Sequence, residues 1–269
     1  MTSNLPEIKH TTALITGASS GIGYEFAKLF AKNRHNLILV ARNEDKLNTF
    51  AKELSQEHGV KCSIISCDLS KPGAAQEIER KVKALNLTVD YLINNAGFSN
   101  FGFFKDTDFK KESECVQVNV TALTELSKIF LPSMVAKRTG GILNVASIAA
   151  YQPGPLMAVY YATKAYVTSF SEALSNELAG TGVHVSVLCP GVTKTNFFTS
   201  ANMQNSKLLK SFLPMADSAS VAMAGYNGFF GHKKVIVPGI FNKIAVCSTR
   251  FIPRNLTAKI ARKSQEERK

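Results

Sequence analysis

The sequence predicts an α/β fold of the doubly wound type, a seven-stranded parallel sheet with helices on both faces. Three observations carry that prediction. Strand-like and helix-like segments alternate along the chain. The strand-like segments are continuous apolar runs, as strands buried on both faces require. The first of them ends in a glycine-rich turn that leads straight into a helix.

The elements follow in order. Residues 12–16 read as a buried strand, and Ile22, Phe26, Leu29 and Phe30 then recur at helical spacing. Residues 37–41 form the second strand. Residues 44–58 read as a helix, with Gly59 as its stop. Residues 62–66 are the third strand, and Pro72 opens a helix running to about Leu85. Residues 91–94 are the fourth strand. A long helical region over 112–136 is expected to be interrupted near Asn119. Residues 141–146 are the fifth strand, 159–178 a helix closed by Gly180 or Gly182, and 183–188 the sixth strand. A helix over 219–229 and a seventh strand over 234–237 complete the pattern.

There is no Pro- or Ser-rich linker and no internal repeat, so the chain reads as one domain. Residues 1–239 form the main α/β unit, and 240–269 a basic helical extension of the same domain. With 45% hydrophobic and 19% charged residues, the composition excludes a disordered or collagen-like chain. The five scattered cysteines fit neither a disulfide framework nor a metal spacing, which points to a reducing compartment and a cytoplasmic protein without a metal. The start, Met1 to Glu7, lacks the pattern of a secretory signal. The uncharged stretch 139–163 holds too many Gly, Pro and polar residues for a spanning helix.

Net charge is +12 and unevenly spread: from His232 onward, ten Lys and Arg face only Glu266 and Glu267. Such a tail can meet anionic lipid or nucleic acid, or keep the chain soluble. It lacks the interleaved aromatics of a nucleic-acid surface, so no nucleic-acid partner is expected. Pro253 divides the tail into two short helices, with Leu256 and Ile260 as a modest apolar stripe. Its uses remain three: packing on its own domain, contact with a second subunit, or at most weak peripheral contact with a membrane. The first half is expected near the substrate lid or a subunit interface, and the last eight or so residues in solvent.

The chemistry-bearing residues cluster at strand ends. Gly17, Gly21 and Gly23, with Ser19, Ser20 and Ile22 between them, allow a tight turn and let the backbone approach a pyrophosphate at a helix N-terminus. The second strand ends in Ala41-Arg42, where a 2′-hydroxyl reader would carry an acid; a guanidinium there pairs with a 2′-phosphate and selects NADP(H). Tyr160 and Lys164 lie four apart on a helix, so the ammonium can favour the phenolate and make the tyrosine a proton shuttle for a carbonyl oxygen.

Taken together, the motifs Thr16-Gly-x3-Gly-x-Gly23, Asp68-Leu69, Asn94-Asn-Ala-Gly97, Asn119, Ser147, Tyr160-x3-Lys164 and Pro190-Gly-x3-Thr195 resemble the short-chain dehydrogenase/reductase family from about Thr11 to Gly239. The resemblance implies a Rossmann-type fold, a homodimer or homotetramer, and NADPH-dependent interconversion of a carbonyl and an alcohol on a small molecule. It implies that Ser147 bonds the substrate oxygen, that Tyr160 donates the proton, that Lys164 lowers the Tyr160 pKa and holds the nicotinamide ribose, and that Asn119 positions a relay water. Asp68 and Leu69 match adenine contacts, Asn95, Ala96 and Gly97 the adenosine ribose segment, and Pro190, Val192 and Thr195 the carboxamide and phosphate segment. Asn94 reads as a sheet brace. An apolar lid over residues 196–214, with Phe197, Phe198, Leu208 and Phe212, suggests a steroid, a fatty acyl chain or an aromatic ketone. The alternative is a catalytically silent nucleotide-binding or scaffold protein of the same fold, whose mark would be a damaged tetrad.

Overall fold

The computed structural model describes residues 11–195 and 215–266. The expected lid over 196–214 lies outside the described residues. Seven strands form one sheet: β1 (Thr12–Thr16), β2 (Asn36–Ala41), β3 (Cys62–Ser66), β4 (Tyr91–Asn94), β5 (Gly141–Val145), β6 (His184–Leu188) and β9 (Val235–Ile236). Their order is β3-β2-β1-β4-β5-β6-β9, and every pairing is parallel. The doubly wound fold predicted from the apolar runs is therefore the observed one. The order reverses beside β1, which pairs with β2 through Ala13↔Leu37 and with β4 through Ala13↔Tyr91. A crevice opens at such a reversal, at the carboxyl ends of the strands.

Alternation along each strand sends side chains to two cores. Ala13 and Ile15 face the side covered by α1 (Gly21–Lys32), α2 (Glu44–His58) and the helix Ser218–Phe230, here α7, where Phe26, Phe30, Leu47 and Phe229 are buried. Leu14 faces the side covered by α3 (Ala74–Ala84), α5 (Leu123–Lys137) and α6 (Ala158–Glu177), with Ile78, Val82, Leu126 and Phe130. Burial of each such side chain contributes about 1.5–3 kcal/mol. Asn94 braces the sheet as expected: its Nδ2 donates to Asn144 Oδ1 at 2.9 Å and to Ser127 Oγ at 3.1 Å, and Asn144 Nδ2 donates to Ser171 Oγ at 2.9 Å.

Local chemistry explains most element ends. Asn43 caps α2 by accepting from Lys46 N–H at 2.8 Å, and Gly59 ends it at φ 67°. The third helix starts at Ala74 rather than Pro72, because Gly73 adopts φ 80° and breaks the helical path between them. The long helical region begins earlier than expected, at α4 (Phe109–Val116), where Asp108 accepts from Lys111 N–H at 2.8 Å. The interruption near Asn119 is a π-helical segment, Gln117–Ala122, that continues straight into α5. Two features carried no sequence signal: a short parallel pair, β7 (Thr193–Lys194) with β8 (Ala216–Asp217), and a 3₁₀ turn over Ile148–Tyr151.

The basic extension forms two helices split at Pro253, α8 (Ile240–Ser248) and α9 (Arg254–Gln265). One expectation is corrected here. Thr257, Ala261 and Gln265 of α9 are buried, Gln265 completely, so the extension is still anchored to the domain at Gln265, inside the stretch expected in solvent. Among the described residues, no helix is long and apolar enough to cross a membrane.

Candidate active site

A cavity of about 1020 Å³ opens at the carboxyl edge of the sheet. Ligand cavities usually measure roughly 300–1,000 Å³, so this one has room for a dinucleotide and a substrate together. Its walls bring together Gly17, Ser19, Ser20, Gly21, Ile22, Arg42, Asp68, Leu69, Asn95, Ala96, Gly97, Ser147, Tyr160, Lys164, Pro190, Val192 and Thr195. Two of the expected residues stand behind the wall rather than in it, Gly23 and Asn119.

The floor is a clip between β1 and β4. The N–H groups of Asn95 and Ala96 donate to Thr16 Oγ1, each at 3.0 Å, and Asn95 Nδ2 donates to Thr16 O at 2.9 Å. That amide leaves no space above it. A Cβ at Gly23 would lie 2.4 Å from Asn95 Nδ2 and 2.4 Å from Gly17 O, and one at Gly17, whose φ is +66°, 2.8 Å from the same nitrogen. Glycine is therefore a packing requirement at both positions. Helix α1 has Ser20 at its N-cap, makes no side-chain cap bond there and has no acid in its first turn. Its first N–H groups and dipole end thus face the cavity without an internal competitor, which fits a pyrophosphate.

The second-strand end fits a further phosphate. Arg42 is exposed on the cavity wall and makes no ion pair with Glu44 or Asp45. Lys46, one helical turn later, lines the same wall, as does Asn43. Both were missed from sequence, although the i,i+4 spacing of two cations was a usable signal. Burial pushes the Asp68 carboxyl up, but bonds from Ser70 and the charges of Arg42 and Lys71 outweigh it and hold the pKa below the usual range.

At the other end, strand β5 delivers Ser147 and helix α6 delivers Tyr160 and Lys164. Ser147 Oγ accepts from Ala149 N–H at 3.1 Å and donates to Pro190 O at 3.4 Å, and it is a hydrogen-bond partner of the Tyr160 phenol. Burial raises the Tyr160 pKa well above that of a free tyrosine, against the lowering effect of Ser147, so the phenol is protonated at neutral pH. Lys164 is 5% exposed, donates to Val145 O at 2.8 Å, and stands 5.7 Å from the Tyr160 ring centre. Burial lowers its pKa to about 8. Desolvation therefore dominates both groups, where sequence reasoning expected the ammonium to dominate the phenol. Asn119 Nδ2 donates to Phe98 O and Thr163 Oγ1, each at 3.0 Å, and its Oδ1 accepts from Phe98 N–H at 3.1 Å. The side chain is committed to holding the β4 exit against α6.

Tyr161, the neighbouring phenol, also reaches the cavity wall but is held by other partners. It is buried, accepts a hydrogen bond from Gln265 Nε2 of α9, and is also a partner of Gln152. The substrate half of the cavity is lined by Ala149, Met157 and Val192 together with Ala245, Ile252, Ile260 and Ala261 from the extension. The sequence reading named Val192 only for the cofactor and placed the first half of the extension near the substrate lid without singling out its lining residues, while Ala149 and Met157 carried no motif to mark them.

Known proteins resemble this chain in sequence and in fold. The family model described as short chain dehydrogenase matches residues 11–206. A very-long-chain 3-oxoacyl-CoA reductase of Laccaria bicolor is 34% identical over 78% of this chain and 61% of its own length. A 7beta-hydroxysteroid dehydrogenase of Collinsella aerofaciens is 31% identical over 71% of this chain and 72% of its own. Among solved structures, a short-chain dehydrogenase from Sphingobium yanoikuyae in complex with NADPH superposes with a TM-score of 0.80 at 31% identity, over 90% of this chain and 94% of that one. The chain spans between 52% and 61% of the length of the first curated relatives it matches.

Proposed function

We propose that this chain, which belongs to the short-chain dehydrogenase family, is an NADPH-dependent oxidoreductase that interconverts a carbonyl and an alcohol on a small apolar substrate. The observation that carries the proposal is the meeting of Ser147, Tyr160 and Lys164 in one cavity with the glycine turn and Arg42. Bound there, a reduced nicotinamide supplies the hydride. The free N–H groups of α1 hold the pyrophosphate, and Arg42 with Lys46 the 2′-phosphate. Ser147 and Tyr160 converge on the substrate oxygen, where the protonated Tyr160 delivers a proton as charge develops. The Lys164 ammonium, 5.7 Å from the Tyr160 ring centre, adds positive charge that stabilises the phenolate left after proton transfer, and a proton from solvent restores the phenol. The lining by Met157, Val192, Ile252 and Ile260 supports an apolar ketone. All four tetrad positions are filled, which argues against the silent scaffold.

Calorimetric titration with NADPH and NADH, followed by a panel of ketones assayed by loss of NADPH absorbance, tests the reading. A charge-assisted phosphate contact contributes about 1.5–3 kcal/mol, so NADPH should bind roughly 10- to 150-fold more tightly, and Arg42→Asp should abolish the preference. Equal affinity for the two nucleotides in the unmodified protein, or no turnover of any ketone, defeats it.

A further inference from the structure

Helix α8 has no buried residue, yet it is rich in apolar ones. One side of it, through Ala245 and Ser248 and then Ile252 beyond its end, lines the substrate half of the cavity. The opposite side carries Ile240, Ile244 and Cys247 at i, i+4 and i+7, and Phe251 continues the stripe in the turn that follows. Ile240 is 63% exposed, Phe241 and Ile244 59% each, and Phe251 82%. Isolated exposed apolar residues need no explanation, but four in one short segment mark a contact surface.

Charge on the same two helices says what that surface meets. Lys243, Arg250, Arg254, Lys259 and Lys263 form no ion pair among the described residues, and Arg262 has the one acidic partner there, Glu266. Five uncompensated cations around an apolar stripe fit a surface that is negative outside and apolar within. We propose that α8 and the start of α9 dock this protein onto an anionic lipid bilayer, with Ile240, Ile244 and Phe251 entering the interface and the basic residues meeting lipid phosphates. Since the other side of α8 walls the cavity, docking brings the substrate half close to the bilayer surface, where apolar ketones partition.

The chain contains no tryptophan, so Phe251→Trp gives the full-length protein a single reporter at the most exposed point of the stripe. Vesicles of phosphatidylglycerol mixed with phosphatidylcholine should shift its emission to the blue and sediment the protein, whereas pure phosphatidylcholine vesicles should do neither. Raising salt from about 0.1 M to about 1 M shortens the Debye length from about 10 Å to about 3 Å and should weaken binding by at least about tenfold. The pair Phe241→Glu and Ile244→Glu, both at exposed sites, should weaken it as much while leaving circular dichroism and melting unchanged. The proposal is overturned by equal binding to neutral vesicles, by no binding to anionic ones, or by an emission that is already blue without vesicles and reddens on dilution. The last result would assign the face to a second copy of the chain.

Discussion

Adjacent tyrosines on α6 should fail in opposite ways when each loses one oxygen. Tyr160 and Tyr161 have ring centres 6.1 Å apart at 75°, so the same chemical change is made twice within one small region. Tyr161 is 9% exposed and its partner Gln265 is 0% exposed. Tyr161→Phe removes the acceptor that Gln265 Nε2 now meets in a dry site, and a buried polar group losing its partner costs about 1–3 kcal/mol. For a chain of this size, each kcal/mol lowers Tm by about 2–4 °C, so a fall of about 2–12 °C is expected. Tyr160→Phe leaves Ser147 with Ala149 N–H and Pro190 O, so its stability cost should stay below about 1 kcal/mol. Turnover should reverse that order. Losing the proton donor should lower kcat at least about 10²-fold, while Tyr161→Phe should leave it within about threefold. Thermal melting and NADPH oxidation with the best ketone of the panel measure the two effects in parallel. Near-normal turnover by Tyr160→Phe, or a larger loss of turnover by Tyr161→Phe with Tm unmoved, would show that the roles of the two phenols are exchanged.

Two further expectations rest on other parts of the molecule. Gly23→Ala places a methyl 2.4 Å from both Asn95 Nδ2 and Gly17 O, so the β1–β4 clip must open; overpacking of this kind costs about 1–3 kcal/mol, and calorimetry should show NADPH binding at least about tenfold weaker. His184, half-buried and beside His232, has its pKa lowered from 6.5 to about 4, so its contribution to stability is full above pH 6.5 and is lost as pH falls towards 4. The shift is worth at most roughly 3 kcal/mol, and about 1–2 kcal/mol after allowing for partial exposure. Urea unfolding at pH 7 and pH 4.5 should show that loss in the native chain and a flatter profile in His184→Asn.

The sheet was legible because parallel strands buried on both faces are written as unbroken apolar runs. The two-residue pair of β7 and β8 was not, since Thr193-Lys194 and Ala216-Asp217 carry no such run. The cofactor half of the cavity could be read from glycine spacing and strand ends, because each residue there answers to one chemical demand. In the C-terminal helix the sequence left three uses of the apolar stripe open, and hydropathy alone did not mark the face that packs. That stripe, Leu256 and Ile260, is 48% and 53% exposed, while the face that packs is Thr257, Ala261 and Gln265. Small and polar residues bury by fitting and by hydrogen bonding, and hydropathy patterns do not record either. The balance between Lys164 and Tyr160 was also beyond the sequence, since spacing gives proximity but not the degree of desolvation.

The clip between Thr16 and Asn95 joins residues 79 apart in the sequence. On its N-terminal side, β1, β2 and β3 pair with near neighbours in the chain, whereas β4 must return across that whole interval to reach β1. Closing so long a loop has an entropic cost before any contact offsets it, so this seam should form after the pairings of β1, β2 and β3. The nucleotide crevice lies on the seam, with Gly17 on one bank and Asn95 on the other. Unfolded or half-assembled chains therefore have no crevice to offer. A dinucleotide at 100 times its Kd would hold the two banks together with about 2.7 kcal/mol, making the ligand a structural member of the joint it reads.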